Sequence, residues 1–123
     1  TDDTLSGDAF PNAIYGMDGD DVLIGAGGDD TLDGGSGTDS MTGGLGEDVF
    51  VFGDADGEDT IEDFNAIEDS IDLRTMTRTA SYEEVLAASS DTDVGTVIDF
   101  GEGDKLTLIG VTIDELNEEN FIV

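Results

Sequence analysis

The chain has 123 residues, 32 of them acidic and 3 basic, for a net charge of −29, and it contains no cysteine, histidine or tryptophan. A polyanion of this kind does not bind nucleic acid or an anionic membrane by charge, and disulfides, thiolate metal sites, Cys/His nucleophile pairs and histidine bases are excluded outright. No apolar run nears the length of a transmembrane helix and no signal-peptide pattern opens the chain, so the expectation is one acidic domain whose self-repulsion opposes compaction.

From Thr1 to Val51 a nine-residue repeat runs without insertion. Its acidic column is Asp3, Asn12, Asp21, Asp30, Asp39 and Asp48; two residues later an apolar column gives Leu5, Ile14, Leu23, Leu32, Met41 and Phe50. Gly7, Gly16, Gly25, Gly34 and Gly43 open the units, and Gly19, Gly28, Gly37 and Gly46 return at the fourth place. Six glycine-rich residues make a turn, and the next three, as in Val22-Leu23-Ile24, make a very short strand whose middle side chain points inward. Two units then form one coil of eighteen residues, with a turn at each side and a strand on each face.

Because the turns alternate sides, stacking places Asp3, Asp21 and Asp39 on one edge and Asn12, Asp30 and Asp48 on the other. Coils stack about 4.8 Å apart and calcium–oxygen distances are about 2.4 Å, so an ion between two stacked turns reaches both. Stacked carboxylates repel without such an ion. Calcium, tolerant in geometry and selective for oxygen, suits them better than magnesium, which wants a tight octahedron and keeps its water. One large apolar residue per nine is also a thin core, so Thr1 to Val51 is not expected to fold without metal.

The second unit is degenerate: Phe10 stands where glycine is preferred and Asn12 where aspartate is. Either its ion site is weakened or altered, or the unit only holds register through Ile14. Tyr15, Val22 and Ile24 face outward, as scattered exposed residues or as a patch for a partner.

The best copy, Gly34-Gly35-Ser36-Gly37-Thr38-Asp39-Ser40-Met41-Thr42, matches the nonapeptide G-G-x-G-x-D-x-U-x. On these units the array resembles the RTX, or haemolysin-type calcium-binding, repeats of exported bacterial proteins. The resemblance implies an all-β, right-handed parallel β-roll with calcium between turns. Its ligands would be Asp21, Asp30, Asp39 and Asp48 with the carbonyls of Gly16, Gly19, Gly25, Gly28, Gly34, Gly35, Gly37, Gly43, Gly44 and Gly46. Asp18, Asp20 and Asp29 fall at variable positions and read as solvated charge. Turns 16–21 with 34–39 and 25–30 with 43–48 are complete pairs, and Asp3, Asn12 and the Asp54 to Asp59 loop offer partial ones, for two to five calcium ions.

After Val51 the register fails, since the ninth step from Asp48 lands on Gly57. Phe52 to Gly57 still resembles a turn, and Asp54, Asp56 or Asp59 could close a last site over the Asp39 turn. It is not an EF-hand, because counting from Asp54 puts Asp59 at the obligatory glycine. Thr60-Ile61-Glu62-Asp63-Phe64 is then echoed by Thr96-Val97-Ile98-Asp99-Phe100, and each leads to a strand-like run, Asp69 to Leu73 and Asp104 to Leu108. The spacing of two coils predicts that the roll continues without calcium loops, as a capping β region with a larger apolar core. Similar D-F-x-x-G-x-D-x-I-x-L segments follow RTX arrays in secreted proteases and epimerases; Ile67 departs from the usual glycine and Gly103 keeps it.

A short helix is expected over Ser81 to Ala88, where Ser81 and Glu84 have capping-box spacing, followed by a turn at Asp91 to Gly95 and a second capped turn at Thr112 to Leu116. The terminus Asn120 to Val123 is similar to the uncleaved signals of type I secretion and equally fits an ordinary last strand. With so many carboxylates, pairs at glycosidase-like spacing arise by chance and none earns a catalytic reading; Arg74 and Arg78 read as surface or ion-pair residues. The expectation is a non-enzymatic, secreted calcium module, with repeats in 1–58 and a capping and secretion region in 59–123 that continues the roll as one folded unit. It would fold on calcium outside the cell, pass through type I secretion machinery and carry an N-terminal catalytic or adhesive domain. The alternatives are a carbohydrate-binding, surface-binding or adhesion module, or the C-terminal part of a secreted protease, epimerase or lipase.

Overall fold

The computed structural model describes residues 1–79 and 81–123. Every nonapeptide yields one three-residue strand: β1 (Thr4–Ser6), β2 (Ala13–Tyr15), β3 (Val22–Ile24), β4 (Thr31–Asp33), β5 (Ser40–Thr42) and β6 (Val49–Val51). In such short strands only the middle side chain can point inward. Leu23, Leu32, Met41 and Phe50 accordingly have no exposed surface, while Tyr15 and Val22 face solvent and Ile24 is half-buried.

Odd and even strands separate into two parallel sheets. Leu5 stacks on Leu23 and Leu23 on Met41 in one, and Ile14 on Leu32 and Leu32 on Phe50 in the other. Turn backbone joins the ladder, for example Val22 N–H to Asp3 O at 2.9 Å and Gly25 N–H to Thr42 O at 2.8 Å. The result is a parallel β-solenoid of the β-roll type.

The roll runs on through β7 (Glu58–Ile61) and β8 (Ser70–Asp72), which stack on β5 and β6. Ile61 lies beneath Met41 and Ile71 beneath Phe50. The rest forms the cap: α1 (Tyr82–Ala88), β9 (Ser89–Asp91), β10 (Gly95–Gly101), β11 (Asp104–Ile109) and β12 (Phe121–Ile122), with 3-10 turns at Ile113–Glu115 and Glu118–Asn120. Ser81 caps α1, its hydroxyl accepting from Glu84 N–H at 3.3 Å, and Glu115 Oε2 accepts from Thr112 N–H at 3.0 Å. β12 is a last strand, paired in parallel with β8.

The echo of Thr60–Phe64 in Thr96–Phe100 does not mark equivalent coils. β10 runs antiparallel to β11, and β11 is the strand that stacks in parallel on β7, with Leu108 beside Ile61. The cause is a tight reversal at Gly101-Glu102-Gly103, all three with positive φ (89°, 57° and 99°), which makes a hairpin where a coil would need a wide turn. Among the described residues no helix is long and apolar enough to cross a membrane.

Candidate functional site

Asp21, Asp30, Asp39, Asp48 and Asp69 stand immediately before their strands and Asp59 is the second residue of β7; each reaches back to the coil before it. Asp21, Asp39 and Asp59 accept through Oδ1 from the amides of Asp3, Asp21 and Asp39 at 2.6, 2.7 and 2.9 Å. On the other edge Asp30, Asp48 and Asp69 accept from Asn12, Asp30 and Asp48 at 2.7, 2.9 and 3.0 Å. All except Asp69, at 5 %, are 2 % exposed or less. One carboxylate oxygen is thus committed to holding the stack.

The other oxygen is the informative one. Oδ2 of Asp21, Asp30, Asp39, Asp48 and Asp59 is buried and has no hydrogen-bond partner among the described residues. An unsatisfied buried acceptor costs on the order of 1–3 kcal/mol, more when charged, and native proteins rarely leave one. Here five recur at the same place in the coil.

The first glycine of each unit bounds the space these oxygens face. A Cβ on Gly16 would collide with Asp21 Oδ2 and Gly34 O, and one on Gly25 with Asp30 Oδ2 and Gly43 O. Gly34 and Gly43 stand likewise against Asp39 Oδ2 and Asp48 Oδ2. A carboxylate oxygen and a carbonyl oxygen from the next coil therefore close on one gap with no donor between them. All-oxygen donors without protons fit a hard cation such as calcium. Among the described residues no three carboxylates converge on a point, so the donors are single carboxylates joined by backbone carbonyls.

Electrostatics tell the same story. Burial, reinforced by the charges of Asp39, Asp56 and Asp33, pushes the Asp59 carboxyl up to about 8 despite the Asp39 amide. Burial raises Asp48 to about 6, with Asp69, Asp30 and Asp63 adding repulsion, and burial also raises Asp39. Asp56 is raised to about 6, again mainly by burial.

The ends of the array differ. Asn12 Oδ1 faces the gap beside Gly7 but already accepts from Asp8 N–H at 2.9 Å, and Asp3, exposed, accepts from Thr1 Oγ1 at 3.1 Å. Of the three aspartates after the array, Asp59 continues the column. Asp56 Oδ2 accepts from Gly53 N–H at 2.5 Å, and Asp54 Oδ2 accepts from the amide and hydroxyl of Thr77. Gly37 and Gly46 pack turn on turn, where a Cβ would strike Gly19 O and Gly28 O; Gly35 and Gly44 do the same against Met17 O and Ala26 O. Asp18, Asp20 and Asp29 are exposed, yet each binds the next coil, Asp20 accepting from Thr38 N–H and Asp29 from Glu47 N–H at 2.9 Å, and Asp18 from Ser36 Oγ at 2.8 Å.

Sequence reasoning missed Asp69 and Asp63. Asp69-Ser70-Ile71 keeps the aspartate-x-apolar pattern and could have been found that way. Asp63, whose carboxylate accepts from Gly43 N–H at 2.9 Å and Gly44 N–H at 2.8 Å, carries no such signal.

The model of the RTX calcium-binding nonapeptide repeat (4 copies) matches residues 1–32, 15–50 and 24–61. The fold is similar to that of the extracellular lipase LipA from Serratia marcescens, with 31% identity and a TM-score of 0.85 over 99% of this chain. It is also similar to the AlgE6R3 and AlgE6R2 subunits of the Azotobacter vinelandii mannuronan C5-epimerase, with 31% and 29% identity and TM-scores of 0.75 and 0.66. These matches cover 98% and 95% of this chain and 77% and 90% of the subunits, whereas the chain spans only 19% of the lipase. No curated protein matches. A stack of single aspartates and glycine carbonyls, repeated every nonapeptide, and these likenesses place the chain in the RTX calcium-binding nonapeptide repeat family, whose β-roll is a structural calcium-binding module and not a catalytic fold.

Proposed function

We propose that this chain binds calcium between its stacked turns and folds by doing so, as the C-terminal module of a larger exported protein. The observation that carries the reading is the set of five buried, partnerless Oδ2 atoms, on Asp21, Asp30, Asp39, Asp48 and Asp59. The aspartates would hold the ions together with carbonyls such as Gly34 O and Gly43 O. Two to five ions are expected, the upper figure being one per free oxygen.

Dissociation constants of about 0.1 to 1 mM suit extracellular calcium. Binding free energy then becomes folding free energy outside the cell, where the ion is plentiful. Residues 1–58 would supply the sites, joined by Asp59 at the start of the capping region 59–123, with the C-terminal end serving type I secretion. The likeness to an extracellular lipase and to epimerase subunits supports a secreted enzyme of such a kind as the parent, the chemistry residing elsewhere in it.

A calcium titration followed by circular dichroism tests this. The expected result is little β-structure in chelator and cooperative folding with calcium near millimolar levels. A chain fully folded in chelator that takes up no calcium would overturn the reading.

A further inference from the structure

On the edge that carries Asn12, Asp30 and Asp48, successive turns meet in a fixed way. Gly7 and Gly25 each donate their amide to the residue just before the next coil's opening glycine, to Ile24 O at 2.7 Å and Thr42 O at 2.8 Å. A Cβ on either would collide with the carbonyl of that next glycine, Gly25 O or Gly43 O, and with the column side chain of its own turn, Asn12 or Asp30. A carbonyl oxygen from one coil and a side-chain oxygen from the other thus close both gaps.

At Gly43 the arrangement changes. Met41 is paired with Ile61, so the place of the next opening glycine, two residues on, falls to Asp63. Glu62 N–H still donates to Met41 O at 2.9 Å, but a Cβ on Gly43 would meet Asp48 first, with no carbonyl of the following coil beside it. The Gly43 amide goes instead to the Asp63 carboxylate at 2.9 Å, and the Gly44 amide to the same group at 2.8 Å. Two carboxylates therefore close on one glycine, Asp48 with its buried, partnerless Oδ2 from the same turn and Asp63 from the next.

No protein cation neutralises this pair. Asp104 in the hairpin is held by the Arg78 guanidinium, whereas neither Asp48 nor Asp63 makes an ion pair among the described residues. The charge of Asp63 adds to the burial that raises the Asp48 carboxyl. An ionised carboxylate has about four acceptor sites, so the two amides leave Asp63 free to take a cation as well.

We infer that Asp63 is a calcium ligand: at the last turn of this edge its carboxylate replaces the glycine carbonyl that closes the earlier gaps, and shares one ion with Asp48. The inference rests on the calcium reading proposed above. Calcium accepts carboxylate and carbonyl oxygens alike, and ligand charge tunes its affinity. Beside the opening glycine Asn12 presents no charge and Asp30 a single carboxylate, so the exchange of Gly for Asp at position 63 gives the end of the array its more highly charged gap.

The test uses the full chain with calcium alone as the probe, uptake being read by equilibrium dialysis and folding by circular dichroism. Asp63→Asn keeps an acceptor for the Gly43 amide and removes the charge. Asp20→Asn is the matched control, since Asp20 is an exposed carboxylate that also accepts an amide from a neighbouring coil. Asp63→Asn is expected to bind one calcium on the order of tenfold more weakly than the parent, and Asp20→Asn to match the parent. Asp48→Asn should weaken the same ion, and the Asp48→Asn/Asp63→Asn chain should lose less than the two single effects combined, as for two groups on one ion. A folded Asp63→Asn chain with the parent's uptake curve overturns the inference, and so do fully additive losses in the double variant. An Asp63→Asn chain that stays unfolded in calcium where Asp48→Asn folds also overturns it, making Asp63 a cap for two amides and nothing more. A parent chain that takes up no calcium would instead overturn the calcium reading itself.

Discussion

The amide of Asp39 donates to Asp59 Oδ1 at 2.9 Å across 20 residues, where the equivalent bonds from Asp3 to Asp21 and from Asp21 to Asp39 each span 18. The Phe52–Gly57 turn absorbs the two extra residues, so the column continues in space after the repeat has lapsed in sequence. Asp59→Asn should therefore lower the bound calcium by one and raise the calcium midpoint for folding. Asp54→Asn, whose carboxylate is tied to Thr77, should leave the count unchanged. Equal counts for the two variants would remove Asp59 from the column.

Asp39→Ala and Asp20→Ala each delete one charge but should differ sharply. Asp39 is 2 % exposed, holds the Asp21 amide and carries a free Oδ2. Asp20 is exposed and contributes one bond, from Thr38 N–H, of roughly 0.5–1.5 kcal/mol. The calcium midpoint should move severalfold more for Asp39→Ala, and identical midpoints would count against the register.

Metal-free chain should gain structure in acid. Asp48, Asp56 and Asp59 titrate near 3.8 when unfolded and at about 6, 6 and 8 when folded. The folded state thus binds more protons between these values, and its stability is fully present below pH 4 and lost as pH rises toward 8. Circular dichroism in chelator should show more β-structure at pH 4.5 than at pH 8, and calcium uptake near neutrality should release protons. A flat pH response would contradict the burial of these carboxylates.

Met17 and Ala26 each hold φ at 81°, at the unit position filled by Gly35 and Gly44 in the next coils. Left-handed backbone costs a non-glycine residue on the order of 1–2 kcal/mol, so Met17→Gly and Ala26→Gly should lower the calcium midpoint slightly. The reverse change, Gly35→Ala, drives a Cβ into Met17 O and should destabilise by roughly 1–3 kcal/mol. Thermal unfolding in saturating calcium measures both signs.

Deleting Thr112 to Val123 removes β12 from β8 and takes away Asn120, whose side chain donates to Ala66 O at 2.9 Å and Asp69 O at 3.1 Å. A single coil buries too little apolar surface to nucleate by itself, so the cap should template the first calcium-bound turn. The truncated chain should need more calcium to fold and should be secreted less when attached to its parent. Normal export and an unchanged midpoint would reduce this terminus to a plain last strand.

The nonapeptide made the roll legible from Asp3 to Phe50, because a column that must stack on itself repeats in sequence as it does in space. Asp69 was hidden by the longer step from Asp48, 21 residues, with the Asn65 turn filling the difference. Arg78 and Asp104 were illegible as a pair, since a contact across 26 residues between a loop and a hairpin has no period. The echo at Thr96 misled because residue types report strand character but not strand direction, which the positive-φ reversal at Gly101–Gly103 decides.

The buried aspartate column has a direction: each of its carboxylates serves the amide of the coil before it, while the exposed Asp20 and Asp29 at the rim serve the coil after. An array cut at its leading edge leaves a carboxylate facing water, which solvates it readily, whereas one cut at its trailing edge leaves an amide in the interior without an acceptor. Whole coils of eighteen residues can thus be gained or lost ahead of Asp21 at small cost. The far boundary must be rebuilt whenever it moves, with a new acceptor for every edge, so chains of this design are free to vary in length from the front and are anchored at the back.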